Sequence, residues 1–384
     1  MAADWGRVQV FRPFPTCPDI VFGRTAARSG AFGPMEASGG APVIVGSAAG
    51  CDQDDVAVRA GNELVERVSN ILAGRAAERE GKVVASFDQL RRRGAAALDP
   101  AAWRPPAEGI RQVPMLWVTG RSLLDDREVL VPGGAAFLRH RPPAGSPATV
   151  LRAGSAGVAA HSTEPLAVRH ALREVLERDL VAKSWRGAGR APVAGQPPWP
   201  WPWPLDTALE ALGLQATTLV LPGPATIACL VACLHTPQGG EQSFGARCIA
   251  GGDIAAGFER AVYEALMVRW SMGTPVARRA WEEMSGREGP PLPRNALEHA
   301  LWAFHEQDSL GHWPATSVNS QRDPHPPETE LASALAEHTG DDVVVLDSTA
   351  PAAGADTVVV RVVAPGAERL PVTAVSGALP HPFG

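Results

Sequence analysis

The sequence lacks the signals that mark a protein for nucleic acid, secretion or a membrane. Its 384 residues carry a net charge of −6 and no basic block, so the electrostatic footprint of a nucleic-acid-binding protein is missing. The first residues contain no basic segment followed by an apolar one, and no apolar run approaches the roughly 20 residues that span a bilayer. We therefore expect a cytoplasmic protein without nucleic-acid or membrane partners.

Several common catalytic and cofactor motifs are also missing. Neither G-x-x-x-x-G-K-[ST] nor G-x-G-x-x-G occurs at a strand-to-helix junction, and neither Ser47 nor Ser155 lies in a G-x-S-x-G elbow. The five cysteines form no C-x-x-C pair, which favours buried reduced thiols over a zinc site. Three histidines flank Glu306 at spacings that do not share one helix face, which favours ordinary surface or core residues over a metal site: His299, His305 and His312.

Two segments with helical periodicity carry the same acidic and basic pattern. E-x-x-E-R occurs from Glu63 to Arg67 and again from Glu174 to Arg178. Residues three apart share a helix face, so each copy presents two carboxylates side by side with an arginine next to the second. Carboxylates bind Mg²⁺, and arginine guanidinium groups bind phosphate oxygens. The two motifs therefore favour a nucleotide site in which metal ions bridge the carboxylates and the phosphates. Solvated helix faces are the alternative, since Glu and Arg are good helix formers.

Each acidic helix follows a loop of small residues, predicted at 46–52 and 154–160. A third unit leads from 251–253 into 258–269 and retains one acid and one arginine, Glu264 and Arg269. Three such loop-to-helix units argue for internal duplication.

Helical segments alternate with short β-branched runs, which predicts a mixed α/β (α+β) fold of repeated helix-plus-sheet units. We expect one domain over 1–384, with subregions 1–150, 151–270 and 271–384. A Pro/Trp-rich loop at 195–205 is predicted to be a rigid connector, or alternatively a segment that docks a partner. The predicted strands cover 8–13, 43–45, 113–118, 128–132, 217–221, 227–233, 343–346 and 357–363, and a further helix covers 328–337.

In order and spacing, these segments resemble the YcaO-domain family, which comprises ATP-dependent enzymes that modify peptide backbone amides. The resemblance is carried by 50–67, 113–132, 155–179, 251–269, 331–365 and 379–383. It implies an α/β fold in which ATP and Mg²⁺ lie among three helices. Within the family, the chain is similar to the standalone members of bottromycin-type pathways.

The resemblance also implies roles for individual residues. The expected Mg²⁺ ligands or supporting acids are Glu63, Glu66, Glu174, Glu177 and Glu264, of which Glu63 and Glu174 are also expected to be catalytic, together with Pro382. The expected nucleotide contacts are Ser155, Arg59, Arg67, Arg178, Arg269 and Arg361.

In the implied reaction, a nucleophile adds to an amide carbonyl, the resulting oxyanion attacks ATP, and phosphate leaves with that oxygen. A cysteine, serine or threonine nucleophile gives an azoline, an amine gives an amidine, and sulfide gives a thioamide. Metal and arginines suit this chemistry because phosphoryl transfer depends on positioning and charge neutralisation.

The chain departs from the family pattern at neutral polar positions. Ala49 replaces the lysine of a G-K-G loop, Arg59 a serine, Ala156 an asparagine and Met267 a glutamine. Side chains at Ala156 and Met267 cannot hydrogen-bond a nucleotide effectively. Either ATP is bound through altered contacts, with Arg59 replacing the lysine charge, or the chain is a degenerate copy that assists an active partner.

Our leading interpretation is an ATP- and Mg²⁺-dependent cyclodehydratase acting on a ribosomally made precursor peptide. A degenerate partner subunit and a thioamide-forming enzyme are the alternatives. The resemblance begins within the first dozen residues, so we expect no separate leader-binding domain. The expected partners are the peptide, a leader-binding or second YcaO protein, and a second copy in a homodimer. The tail Pro380-His381-Pro382 contains only the first part of a P-x-P-x-P ending and leaves the substrate open.

Overall fold

A computed structural model describes most of the chain. The described residues are 6–34, 41–103, 106–143, 151–195, 200–289, 291–306, 309–313, 330–354, 356–374 and 377–383. Part of the predicted 195–205 loop and the start of the predicted helix at 328 lie outside these residues.

Among the described residues, three antiparallel sheets form the framework. Sheet I contains β1 (Gln9–Phe11), β2 (Val21–Arg28) and β3 (Val43–Gly50). Sheet II contains β4 (Val83–Ala85), β5 (Met115–Ser122), β6 (Glu128–Pro132), β7 (Val158–His161), β12 (Val344–Asp347) and β13 (Val358–Val363). Sheet III contains β8 (Val193–Ala194), β9 (Gln215–Pro222), β10 (Ile227–His235) and β11 (Ser243–Ala250). Sheet II joins strands from all three predicted subregions, so the subregions are interleaved in space.

The helices pack on these sheets. They are α1 (Gln53–Glu80), α2 (Phe87–Arg92), α3 (Gly133–Ala136), α4 (Glu164–Trp185), α5 (Leu205–Ala211), α6 (Ile254–Met272), α7 (Pro275–Ser285), α8 (Ala296–Glu306) and α9 (Leu331–Thr339). Helices α1 and α6 begin alike, because the side chains of Asp52 and Asp253 each accept two backbone N–H bonds from the first turn.

Three edge strands and the helices that follow them make a closed ring. Strands β3, β7 and β11 each lie at the end of their sheet, and each leads directly into a helix. Helix α1 packs against β3 and β7, α4 against β7 and β11, and α6 against β11 and β3. Every helix therefore covers its own edge strand and the next one around the ring, which brings α1, α4 and α6 together.

Close approach within the ring depends on two glycines. A Cβ atom on Gly46 would lie 2.3 Å from the carbonyl oxygen of Ala60, and one on Gly245 would lie 2.1 Å from that of Ala261. Real Cβ atoms do not approach backbone so closely, so only glycine lets α1 and α6 contact β3 and β11 at this distance.

The predicted strands and helices are largely present, and two predicted loops were wrong in detail. The segment 46–50 is the second half of β3, because it pairs antiparallel with β2 up to Val21 and Gly50. The segment 154–160 becomes strand β7 from Val158 onward, where it pairs with β13. His299 and His305 lie in α8, and His312 lies beyond its end.

Candidate functional site

Three of the predicted acids bind the edge strand that precedes their own helix. Glu63 accepts a hydrogen bond from the backbone N–H of Ser47 at 2.5 Å. Glu174 accepts one from Gly157 at 3.0 Å, just before β7. Glu264 accepts one from Ala246 in β11 at 3.0 Å. The free edge of each sheet is thus held by a carboxylate from the following helix.

The remaining two acids reach across to the next strand in the ring. Glu66 of α1 accepts from Ala160 of β7, and Glu177 of α4 accepts from Cys248 of β11, each at 2.9 Å. By its spacing of three residues from Glu264, Met267 takes the corresponding place on α6. We call Glu63, Glu66, Glu174, Glu177 and Glu264 the acid ring.

Burial and mutual repulsion shape the charge of the acid ring. Burial raises the pKa of Glu174 to about 7, with Arg178 opposing and Glu177 adding to the shift. Burial likewise raises the pKa of Glu264 to about 7, and that of Glu66 well above its ordinary value, the latter with help from the Glu174 charge. Burial would lower the pKa of Arg178, but three ring carboxylates raise it. The site is therefore short of positive charge.

This donor set fits divalent cations shared with phosphate. One oxygen of each acid-ring carboxylate is held by a backbone N–H, which fixes the group. The second oxygen serves other interactions, and in Glu63 it pairs with Arg67. Within the described residues, no three carboxylate, imidazole or thiol side chains converge closely enough to enclose one metal ion. Mg²⁺ usually keeps several waters and binds through one or two carboxylates plus substrate phosphates, which such a dispersed set permits.

Two predicted phosphate contacts serve the scaffold of the ring. Arg67 pairs with Glu63 at 2.5 Å and donates to the carbonyl oxygen of Val45 at 2.7 Å. Arg361, only 2% exposed, donates to carbonyl oxygens of the 154–157 loop and of Ala135, and its burial lowers its pKa to about 9. Both arginines therefore fix the backbone around the acids.

The described contacts of two further predicted residues are made with groups outside the acid ring. Arg269 pairs with Glu241, also donates to the carbonyl oxygen of that residue, and lies over the Phe304 ring at 5.4 Å. Ser155 is exposed and its carbonyl accepts from Val158 at 3.1 Å. Arg178 is coupled electrostatically to three acids of the ring, Glu174, Glu177 and Glu264.

Arg59 lies in α1, one helical turn before Glu63, and its guanidinium already has partners within the protein. It pairs with Asp55 at 2.9 Å and donates to the carbonyl oxygen of Ala49 at 2.7 Å. Arg260 joins the same carboxylate at 3.1 Å. Burial lowers the pKa of Arg59, and the nearby charges of Arg260 and Arg247 lower it further. Sequence reasoning missed Arg247 and Arg260, because no local motif marks them.

The tail that carries Pro382 is buried beside the ring. The carbonyl of His381 accepts from Nδ1 of His299 at 3.0 Å, and the two imidazoles stack with centroids 3.7 Å apart. Phe383 contacts Phe244, which precedes the acid-binding Ala246 by two residues in β11. The tail is therefore fixed to the same strand that holds Glu264.

The raised carboxylate pKa values predict a measurable effect of pH on stability. Between pH 4.5 and about 7 the folded protein holds a proton on Glu174 that the unfolded chain releases. This proton binding adds to the free energy of unfolding at low pH, and the contribution is lost as pH rises through 7. Relative to the wild type, Glu174→Gln should gain unfolding free energy between pH 5 and 8, by about 2 kcal/mol after discounting for solvent screening.

Denaturant unfolding of both proteins in EDTA measures this difference. Buried histidines of lowered pKa, such as His170 and His381, titrate in the same way in both proteins and cancel. A difference that stays constant across the range would contradict the shift.

The chain matches a known family over most of its length. The model of the YcaO family, described as an ATP- and Mg²⁺-binding cyclodehydratase, matches residues 46–368. The chain belongs to the YcaO family. The predicted family and its association with ATP and Mg²⁺ are therefore confirmed, and the matched region contains the whole acid ring.

Solved YcaO-like structures confirm the mixed helix-and-sheet fold. A heterocyclase in complex with substrate and cofactor is 17% identical, with a TM-score of 0.71 over 94% of this chain and 50% of that one. YcaO from Methanopyrus kandleri bound with AMPPCP and Mg²⁺ is 22% identical, with a TM-score of 0.62 over 94% of this chain and 86% of that one. At these identities the likeness establishes the fold.

Other relatives overlap this YcaO chain only in part. An uncharacterized protein of Methanothermobacter thermautotrophicus is 33% identical over 82 residues, 21% of each protein. The chain thus spans about a fifth of that relative and half of the heterocyclase. Within the described residues, no helix combines the length and apolar character needed to cross a membrane.

Proposed function

We propose that this chain is a cyclodehydratase of the standalone type that uses ATP and Mg²⁺ to activate backbone amides of a ribosomally made precursor peptide, giving an azoline or an amidine. The observation that carries the proposal is the acid ring. Five carboxylates from three helices face one region, and burial has raised the pKa of three of them. Such an excess of buried negative charge is stabilised by cations rather than by protein packing.

The acid ring would hold Mg²⁺, and Arg178 would neutralise phosphate charge among the acids. Bound Mg²⁺-ATP supplies a phosphoryl group that turns the amide oxygen into a good leaving group. Arg67 keeps the Glu63 carboxylate in place, and Arg361 fixes the loop whose Gly157 N–H holds Glu174. These residues pre-organise the charges before any ligand binds, which is where such catalysis gains most.

Glu63 and Glu174 remain our proposed catalytic acids, and we also place Pro382 in the catalytic set. The support for Pro382 is positional, since its buried tail is anchored on β11 through Phe383 and Phe244. Ser155 remains a proposed nucleotide contact on the strength of its exposed position before Gly157. Arg269 is proposed to act indirectly, by holding the loop at Glu241.

A degenerate partner subunit is the second candidate function. Its support is that Arg59, the proposed replacement for the family lysine, is held by Asp55 and by the Ala49 carbonyl. Ala156 and Met267 also remove two polar side chains from the region of the acids. In either role we propose a precursor peptide as ligand, a homodimer, and a leader-binding or second YcaO protein as partner. A thioamide product remains a third alternative, and we treat 1–384 as one domain.

Calorimetric titration with ATP separates the two functions. An enzyme should bind ATP in the presence of Mg²⁺ and at least about tenfold more weakly in EDTA, because the acids alone repel the phosphates. A degenerate subunit should show no binding in either buffer. If ATP binds neither with nor without Mg²⁺, the chain is not an ATP-dependent enzyme.

If binding is found, mass spectrometry of a candidate peptide incubated with Mg²⁺-ATP identifies the product. Loss of one water indicates an azoline or an amidine, whereas exchange of oxygen for sulfur indicates a thioamide.

A further inference from the structure

An apolar cavity adjoins the acid ring where α6 crosses β3. It has a volume of about 410 Å³ and opens between sheet I, α6 and the pair α7 and α8. Its lining includes Ser47 and Met267, and Ser47 is the residue whose N–H binds Glu63. Whatever fills the cavity therefore lies directly beside the first acid of the ring.

The walls of the cavity combine aromatic and thioether side chains with small aliphatic ones. Phe11 and Phe22 meet Trp270 with ring centroids 5.2 and 5.9 Å apart, and Met267 and Met272 complete the lining on the α6 side. Val276 on the rim is 61% exposed, an apolar side chain facing solvent at the entrance. Aromatic rings and flexible methionines of this kind favour contact with another apolar group.

The serine and threonine hydroxyls in the lining are already engaged within the protein, and the charged lining residue Arg24 is exposed to solvent. The hydroxyl of Ser271 donates to the Met267 carbonyl and that of Thr274 to the Ser271 carbonyl, each at 2.8 Å. The Ser47 hydroxyl faces Glu63 at 3.4 Å. A purine base needs partners for its ring nitrogens and amino group, and these hydroxyls do not offer them. A hydrocarbon side chain needs none.

Pairing of an extended peptide with the free edge of β3 is also disfavoured. The carbonyl of Val45 already accepts from Arg67, and the N–H of Ser47 is held by Glu63. Because both edge groups are occupied, a peptide cannot add as a strand there without displacing an ion pair. Insertion of a side chain between β3 and α6 requires no such displacement.

We propose that this cavity receives a large apolar side chain of the substrate peptide, close to the amide that is activated. The inference rests on the proposed function, because it takes a peptide as the ligand. Met267 contributes directly to this preference for an apolar side chain. Its thioether makes the boundary between the acid ring and the cavity apolar. The cavity thus sets a preference for phenylalanine, tryptophan or leucine next to the reacting residue.

Binding of short peptides to the full chain tests the proposal. The probes are capped hexapeptides Gly-Gly-X-Cys-Gly-Gly in which X is alanine, leucine, phenylalanine or tryptophan, and affinity is measured by ligand-observed NMR without nucleotide. The phenylalanine and tryptophan peptides should bind about tenfold more tightly than the alanine peptide, because they bury a large apolar side chain. Equal affinities would overturn the proposal.

Matched variants locate the preference in the cavity. Ala296→Trp adds an indole from an exposed position in the lining and should abolish the preference without disturbing the fold. Val276→Ser on the rim should reduce the preference for the phenylalanine and tryptophan peptides severalfold. Val58→Ser, at a 60% exposed valine outside the lining, should leave that preference unchanged. A preference that survives Ala296→Trp would place the side chain elsewhere and overturn the proposal.

Adding Mg²⁺-ATP distinguishes the side chain from the nucleotide base. Retention of the preference supports the proposal, and its loss through competition would assign the cavity to the base and overturn it. The peptide experiment is run without nucleotide, so a failed ATP titration does not affect its outcome. The two failures are therefore separable.

Discussion

Glu174→Gln is expected to abolish detectable binding of Mg²⁺-ATP, with affinity falling by about 100-fold or more. The variant removes one of the charges that would hold the metal, and a carboxylate in a water-poor site contributes far more than one at the surface. Glutamine keeps the shape of the side chain and can still accept the Gly157 N–H, so the loop before β7 stays in place. The loss should therefore be one of charge alone.

A control on the same helix makes the result specific. Glu164 begins α4 and pairs with Arg121 on the surface, so Glu164→Gln should leave ATP affinity unchanged. Calorimetry in Mg²⁺ buffer measures affinity, and denaturant unfolding checks that both variants are folded. Full affinity in Glu174→Gln would show that the nucleotide site is misplaced.

Gly245→Ala is expected to lower the free energy of unfolding by about 3 kcal/mol, the upper end of the effect of overpacking a buried contact. The new methyl group would meet the Ala261 carbonyl at 2.1 Å and the Ala265 nitrogen at 2.8 Å, both backbone atoms of α6. Backbone cannot rotate away, so the helix must move off β11. That movement would also draw Glu264 from the Ala246 N–H.

The equivalent change in sheet I should behave alike. Gly46→Ala places a methyl group 2.3 Å from the Ala60 carbonyl and 2.6 Å from the Leu64 nitrogen. Gly154→Ala is the control, because no atom lies within 4 Å of its added Cβ, and it should alter stability by less than about 1 kcal/mol. If Gly245→Ala unfolds at the same denaturant concentration as the control, the close contact between α6 and β11 is wrong.

Local spacing predicted the acidic helix faces, and folding determined what those faces touch. Glu63 and Glu66 share a face because three residues make almost one helical turn, a relation visible in the sequence. The backbone groups they bind are 16 and 94 residues away, and no local pattern encodes such distances. The partner strands of the acids were therefore beyond prediction from one sequence.

Small residues misled the prediction at β3 for a similar reason. The segment from Gly46 to Gly50 has the composition of a loop, yet pairing with β2 and the approach of α1 make it an edge strand. The family resemblance implies a phosphate contact for Arg269, and in the structure its guanidinium pairs with Glu241, 28 residues earlier. Long-range contacts decide the orientation of long charged side chains, and the sequence does not reveal them.

The carboxylates on the three edge strands also bear on how the chain behaves when it is cut or destabilised. An uncovered edge strand offers unpaired N–H and C=O groups to any neighbouring chain, which is a common route to aggregation. Here Glu63, Glu66, Glu174, Glu177 and Glu264 cap groups along all three edges. A fragment that ends before α6 would leave the Ala246 N–H of β11 without Glu264 and expose much of that strand, so shortened versions of this protein should precipitate long before they lose their secondary structure.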